Sequence, residues 1–223
     1  MTMNVNAELG SQYNRKRIRR IMAEAGIKSV IRLKKKTYTR TDSAITADNI
    51  LNREFTAERP MQKMATDVTE FRLTGDSKVF LSAILDLGDR SIAAYNIGVS
   101  NNNQLVLETL DAAFSGKSKR QTQGLILHSD RGTQYTSREY RARLDASGII
   151  QSMSRPGKCI DNGPMEGFWG ILKCEMYYLR KFTSIQELKE AIDRYIKFYN
   201  TERRQEKLNC LPPLVYRRQI MEG

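Results

Sequence analysis

Apolar and polar positions divide the chain from Lys63 onward into short alternating runs punctuated by turn residues. The segment MATDVTEFRL, from Met64 to Leu73, has the β-branched content of a strand. Gly75-Asp76 marks a turn, KVFLSAILDL (Lys78 to Leu87) is a second strand, and SIAAYNIGV (Ser91 to Val99) a third. Three consecutive strands so closely joined predict an antiparallel meander. The period then changes. In NNNQLVLETLDAAFSG, Leu105, Leu107, Thr109, Leu110 and Phe114 support a helix with an Asn cap and a stop at Gly116. GLILHSD reads as a short buried strand, YTSREYRARLDASG as a helix capped by Thr136 or Ser137, and IIQSMS as a fifth strand. A meander followed by alternating helices and strands predicts an α/β fold, a mixed five-stranded sheet with helices on both faces. Asp161-Asn162-Gly163-Pro164 is a helix start, and that helix runs to about Tyr177. A further amphipathic helix covers Ser184 to Asn200, with Ile185, Leu188, Ile192, Ile196 and Tyr199 on one stripe.

Ahead of this core the texture differs. Ile18, Ile21, Met22 and Ala25 recur at helical spacing, with Gly26 as the stop, in a segment otherwise made of basic residues. One helix of this size cannot bury a core alone. Residues 37–60, rich in Thr, Ser, Asp and Asn and closed by Pro60, read as a linker with room for a short helix near Ala47–Asn52. The expected division is a basic helical segment and linker over 1–60 and a core over 61–223. The first part, with few apolar anchors, is expected to pack poorly against the second.

Composition narrows the function. The chain has 223 residues, 40% hydrophobic and 28% charged, and no apolar run approaches the roughly 18 residues of a membrane span. No apolar core of signal-peptide type opens it, so a cytoplasmic protein is expected. Cys159, Cys174 and Cys210 show no CxxC spacing and predict reduced thiols. His128 is the single histidine, which excludes zinc sites built on two histidines. The formal net charge is +12. Residues 1–40 hold 11 basic against 2 acidic side chains, whereas 41–154 are close to neutral. A basic head is either a solvated tail or a polyanion contact, since clustered Lys and Arg neutralise phosphates.

The chemistry falls at element ends. Asp67 lies in the first predicted strand, Asp130 just past the fourth, and Glu166 in the first turns of the helix after Asp161-Asn162-Gly163-Pro164. Hard oxygen ligands of this type suit Mg²⁺ or Mn²⁺. Two such ions could serve an in-line phosphoryl displacement. Spacing alone is weak, because 25 acidic residues offer many triples, and any one of them could be a cap or an exposed charge.

The segments MATDVTEF, ILDL, HSDRGTQYTS, SMSRPGKCIDNGPMEGFWGILKCEM, YNTERRQEKL and PPLVYR stand in a fixed order, and 35 residues separate Asp130 from Glu166. Together they resemble the DDE transposases of the IS-three insertion-sequence family, whose integrase core is similar to that of retroviral integrases. The resemblance covers roughly residues 13–220. It implies an RNase H-like fold, two divalent ions held by Asp67, Asp130 and Glu166, and DNA strand cleavage and joining at insertion-sequence ends. It further implies DNA as partner, both ends and target, a homo-oligomer on that DNA, a first-frame helix-turn-helix protein as a possible companion, and a bacterial, nucleoid-associated location. Met64 stands where the family commonly has Trp, and Gly167 where it often has Asn or Ser. The helix-turn-helix that reads transposon ends is missing, so the chain looks like a second-frame product, with shortening at its N-terminus left open.

Around the triad, Lys173 lies seven residues after Glu166, on the same helix face, and is a candidate phosphate contact. Arg131 beside Asp130, and Arg15, Lys16, Arg17, Arg19 and Arg20 in the basic helix, are candidate DNA contacts. His128 could orient a metal-bound water, contact DNA, or be a hydrogen-bonded structural residue at a strand end. Asp86 occupies a family motif without a clear role, and Trp169, Leu172 and Met176 read as core packing. Two rivals stand beside a transposase: a truncated, non-catalytic DNA-binding remnant that inhibits an intact enzyme, and a generic RNase H-like nuclease.

Overall fold

The computed structural model describes residues 1–28, 47–75, 77–156 and 159–222. The Lys-rich run at 34–36, the first part of the expected linker (37–46) and Asp76 of the expected turn lie outside the described residues. Five strands form one sheet: β1 (Lys63–Arg72), β2 (Lys78–Asp86), β3 (Ile92–Gly98), β4 (Ile126–Ser129) and β5 (Ile150–Met153). Their order across the sheet is β3-β2-β1-β4-β5. β1, β2 and β3 pair antiparallel, while β4 runs parallel to β1 and β5 parallel to β4. This is the mixed sheet that the pattern predicts.

Strand alternation decides which helices each face receives. On β1, Ala65 and Phe71 join one apolar cluster, with Met165, Phe168, Trp169 and Leu172 of α6 (Gly163–Glu175) and Leu188, Ile192 and Ile196 of α7 (Ile185–Thr201). Met64 and Val68 face the other cluster, with Val106, Leu107 and Leu110 of α3 (Asn103–Phe114) and Tyr140 and Leu144 of α5 (Arg138–Ala146). Asp67 shares the parity of Ala65 and Phe71 and so points to the α6 side.

The caps follow the sequence. Asn102 accepts from Leu105 N, Ser137 from Tyr140 N and Ser184 from Glu187 N, each fixing a helix start. Four helices complete the described set. They are α1 (Thr2–Leu9), the basic α2 (Arg15–Glu24), the single-turn α4 (Lys119–Thr122) and α8 (Pro213–Glu222). α6 ends at Glu175, and a 3₁₀ turn at Tyr177–Leu179 finishes the run expected to be helical to Tyr177.

Residues 47–60 depart from expectation. No helix forms near Ala47–Asn52; the chain is extended and then turns. It is claimed by the core instead. Leu51 is buried in the α6-side cluster, its N–H donates to Ser152 Oγ at 3.0 Å, and Met153 N donates to Asp48 O at 3.1 Å. Backbone groups taken by a neighbouring strand are not available to close helical turns. Further on, a Cβ added at Gly88 would lie 2.5 Å from Arg59 O, so the stretch before β1 packs directly on the β2–β3 turn. Among residues 1–28, Ile18 is the buried member of the expected stripe, while Ile21 is 45% exposed.

Candidate active site

β1 and β4 pair in parallel with Ala65 opposite His128. Two residues further along each stand Asp67 and Asp130, side by side where β4 stops. A parallel pair is the arrangement that can do this, because both strands deliver their carboxyl ends to the same edge. α6 crosses the α6-side face alongside β1 and is bonded to it along its length. Asn162 Nδ2 donates to Thr66 O at 3.0 Å, Trp169 Nε1 to Asp67 Oδ2 at 2.9 Å and Lys173 Nζ to Glu70 O at 3.0 Å. Beyond the helix, Tyr177 OH donates to Arg72 O at 2.7 Å. Glu166 lies on α6 one turn before Trp169, and its charge acts on Asp67.

The site is open. Asp67 is half-buried, and Asp130 and Glu166 are exposed, as a surface that receives a polymer requires. The Asp67 carboxyl is pushed up from its ordinary 3.8 to about 7. Loss of water around it is the main cause, the neighbouring Asp130 charge the next, and Glu166 adds to them; the Trp169 indole pulls the other way. Asp130 is also raised by loss of water, opposed by the hydrogen bond from Gly132 N to its Oδ1 at 2.9 Å. Solvent reaching these carboxylates tempers both shifts; their direction follows first from loss of water and, for Asp67, next from the neighbouring Asp130 and Glu166 charges. Gly132 permits this turn: a Cβ there would meet Gln134 Oε1 at 2.7 Å and Asp130 Oδ1 at 3.1 Å.

Among the described residues, no three acidic, histidine or cysteine side chains are gathered into a ready metal cage. One oxygen of Asp67 already accepts from Trp169 and one of Asp130 from Gly132, and each carboxylate has a second oxygen to offer a ligand. The donor set nevertheless fits a hard divalent cation. It is made of carboxylate oxygens, it is reachable by water, and the loss of water and neighbouring acidic charges that raise Asp67 are both disadvantages that a bound cation would relieve.

His128 is fully buried, with Nδ1 2.9 Å from Ser152 Oγ and Nε2 3.1 Å from Ser154 Oγ. Both nitrogens are therefore engaged, and burial lowers its pKa to about 4. Its role is structural. Asp86 is buried and is held by Met61 N, Gly88 N and Arg217 of α8, away from Asp67. Arg217 also bonds Asp89, so this cluster fastens α8 to the β2–β3 turn. Arg131 Nε donates to Ser154 O at 2.8 Å beside Asp130. Arg15, Lys16, Arg17, Arg19 and Arg20 are all exposed on α2; Arg15 faces Glu206 at 3.5 Å and Arg17 lies over the Tyr13 ring.

Two features escaped sequence reasoning. Trp169 reads as packing, and it does pack, at 7% exposure, but its indole N–H also holds Asp67. A buried Trp needs an acceptor for that N–H, which is the signal that could have exposed the link. Asp161 reads as a helix cap, yet its carboxylate is fully buried and receives Arg155, Arg53 and Asn49.

The Integrase core domain family matches residues 57–159, and a second Integrase core domain family matches residues 147–213. The chain is 40% identical over 219 residues to the InsK protein of insertion sequence element IS150 from Escherichia coli (strain K12), covering 98% of this chain and 76% of that protein. It is 32% identical over 206 residues to the transposase for insertion sequence element IS904 of Lactococcus lactis, covering 92% and 80%. In fold it is similar to the HTLV-2 integrase catalytic core domain solved with magnesium in a trimeric form, with a TM-score of 0.56 at 15% identity, covering 71% of this chain and 97% of that one. Sheet order, the paired strand ends and these relatives together place the chain in the IS3-type family of insertion-sequence transposases with an integrase core.

Proposed function

We propose that the chain cleaves and joins DNA strands at insertion-sequence ends, using Asp67, Asp130 and Glu166 as ligands for two Mg²⁺ or Mn²⁺ ions. The observation that carries this reading is the placement of Asp67, within β1 and two residues beyond Ala65, beside Asp130, two residues beyond Ala65's partner His128 where β4 stops, with the charges of Asp130 and Glu166 both acting on Asp67. Bound there, divalent ions supply Lewis-acid stabilisation of the phosphoryl oxygens and an activated oxygen nucleophile. The chain's own residues do the rest. Asp67, Asp130 and Glu166 would hold the ions, and the Trp169 indole N–H would limit the orientations the Asp67 carboxylate samples. Water first breaks a phosphodiester bond and frees a 3′ hydroxyl. That hydroxyl then attacks a target phosphodiester, so no side chain need act as nucleophile.

Lys173, Arg131 and the exposed cations of α2 are the proposed backbone contacts. Lys173 Nζ donates to Glu70 O and lies over the Phe71 ring, on the same face of α6 as Glu166. Recognition of the ends would come from a first-frame helix-turn-helix partner, and a homo-oligomer would assemble on the DNA, in the bacterial cytoplasm at the nucleoid. The HTLV-2 core is described in dimeric and trimeric forms, which supports an oligomer. No helix of the described residues is long and apolar enough to cross a membrane. Nothing observed favours a non-catalytic remnant.

The test is a cleavage and joining assay on DNA carrying the element's terminal repeats. Nicked and joined products that need Mg²⁺ or Mn²⁺ and vanish in Asp67→Asn, Asp130→Asn and Glu166→Gln support the reading. DNA binding without product under every metal condition would return the chain to the remnant class.

A further inference from the structure

Asp161 is the most heavily bonded carboxylate among the described residues, and the chemistry above makes no use of it. It is fully buried. Arg155 approaches it with N at 3.1 Å and Nε at 2.8 Å from Oδ2, and with Nη2 at 2.9 Å from Oδ1. Arg53 Nε lies 2.6 Å from Oδ1, and Asn49 Nδ2 lies 2.9 Å from Oδ2. Five donors from two separate segments therefore meet on the side chain of a third. The two guanidinium groups hold its pKa well below the usual carboxylate range, so it is charged throughout the working range.

Each of those segments leads to a different part of the site. Asp161 immediately precedes Asn162, whose amide bonds the carbonyl next to Asp67; Glu166 follows Asn162 by about one helical turn. Arg155 follows Ser154, whose N–H donates to Ser129 O at 2.9 Å, one residue before Asp130, and whose carbonyl receives Arg131. Arg53 and Asn49 belong to the stretch before β1. There Asn52 and Arg53 hold left-handed backbones, with φ of 43° and 66°. Left-handed geometry is strained for a residue with a side chain and persists only where its surroundings hold it. Here Asn52 N donates to Asn49 Oδ1 at 2.8 Å, and the turn aims Arg53 at Asp161.

We infer that Asp161, clamped by Arg53, Arg155 and Asn49, is a positioning residue that fixes the start of α6 against the middle of β1 and the end of β4, and so sets where Glu166 stands relative to Asp67 and Asp130. The inference rests on the metal-site reading of those three carboxylates. It carries one further consequence. Asn49 and Arg53 lie ahead of residue 57, where the integrase-core match begins, so the stretch before the recognised domain is part of the site's framework.

The experiment measures free Mn²⁺ by electron paramagnetic resonance during titration of the full chain without DNA. Wild type is compared with Asp67→Asn, Asp161→Asn, Asp161→Glu, Arg53→Met and, as a remote control that also breaks a buried ion cluster, Arg217→Met. Thermal melts establish that each variant is folded. Groups that orient metal ligands are worth about ten- to a hundredfold in affinity. Asp161→Asn and Arg53→Met are therefore expected to weaken Mn²⁺ binding about tenfold or more. Asp161→Glu, which keeps the charge, should recover part of the loss, and Arg217→Met should lower the melting temperature without changing Mn²⁺ affinity. Wild-type affinity in Asp161→Asn or in Arg53→Met, with binding lost in Asp67→Asn, overturns the positioning role and leaves the metal site standing. Equal loss in Arg217→Met overturns it too, by showing that any destabilisation suffices. Unchanged binding in Asp67→Asn overturns the metal-site reading itself.

Discussion

The Trp169 indole N–H donates to Oδ2 of Asp67 at 2.9 Å, so a core residue of α6 holds a carboxylate of β1. Trp169 is the single tryptophan of the chain. Its emission therefore reports directly on Asp67. Titrating Mn²⁺, a paramagnetic quencher, into the DNA-free protein is expected to quench that emission saturably, with no quenching in Asp67→Asn at the same concentrations. Equal quenching in both proteins would place the bound ion elsewhere.

Replacing the charge should stabilise the metal-free fold. The Asp67 carboxyl is raised to about 7, so its folded pKa exceeds its unfolded one, and its ionisation costs stability as pH rises from about 4 to about 7. Asp67→Asn removes that cost while leaving Trp169 an acceptor. After allowance for solvent at a half-buried group, the expected gain is on the order of 1–2 kcal/mol at pH 8, falling toward zero at pH 4. Urea unfolding in the presence of a chelator measures it; a destabilised variant at pH 8 contradicts the account.

His128 carries the opposite sign. Burial depresses its folded pKa to about 4, so the unfolded chain takes up a proton first, and stability is lost as pH falls from about 6.5 toward 4. Because it is the single histidine, one imidazole signal suffices to follow it. No titration between pH 6 and 7 is expected in the folded protein; a midpoint there would mean that the Ser152 and Ser154 contacts do not hold it neutral.

Removing Arg217 leaves Asp86 and Asp89 buried without their cation. Arg217→Ala should destabilise α8 docking by about 3 kcal/mol, the usual scale for breaking a buried ion pair from one side. Amide exchange should accelerate first in α8 and at the β2–β3 turn. Uniform acceleration across β1 and β4 would show that the cluster is not local.

The elements legible in the sequence were those whose burial leaves a local pattern. Helices α3, α5, α6 and α7 each bury one face and read accordingly, whereas the strands read from β-branched or continuous apolar runs bounded by turn residues, β2 and β4 being buried on both faces. α1 buries nothing and has no side-chain cap, so its residues carry no pattern. α4 is one turn long, and α8 buries only Pro213 among its residues, too little to make a stripe. The carboxylates became legible through motif order and the 35-residue gap, not through spacing alone. Asp161 stayed hidden because its partners Arg53 and Arg155 stand 108 and 6 residues away, and neither distance is a local rule. The failed helix at Ala47–Asn52 has the same origin: Ser152, about a hundred positions on, claims the Leu51 N–H.

The central claim is that Asp67, Asp130 and Glu166 jointly hold divalent metal. It is tested most directly by anomalous diffraction from crystals of the full chain soaked in Mn²⁺. The account predicts manganese peaks between Asp67 and Asp130, with a Glu166 oxygen reaching one of them and the Trp169 bond to Asp67 kept or shifted to the other oxygen. A peak bound elsewhere, or none at Asp67 and Asp130 under metal concentrations that support DNA joining, would contradict it.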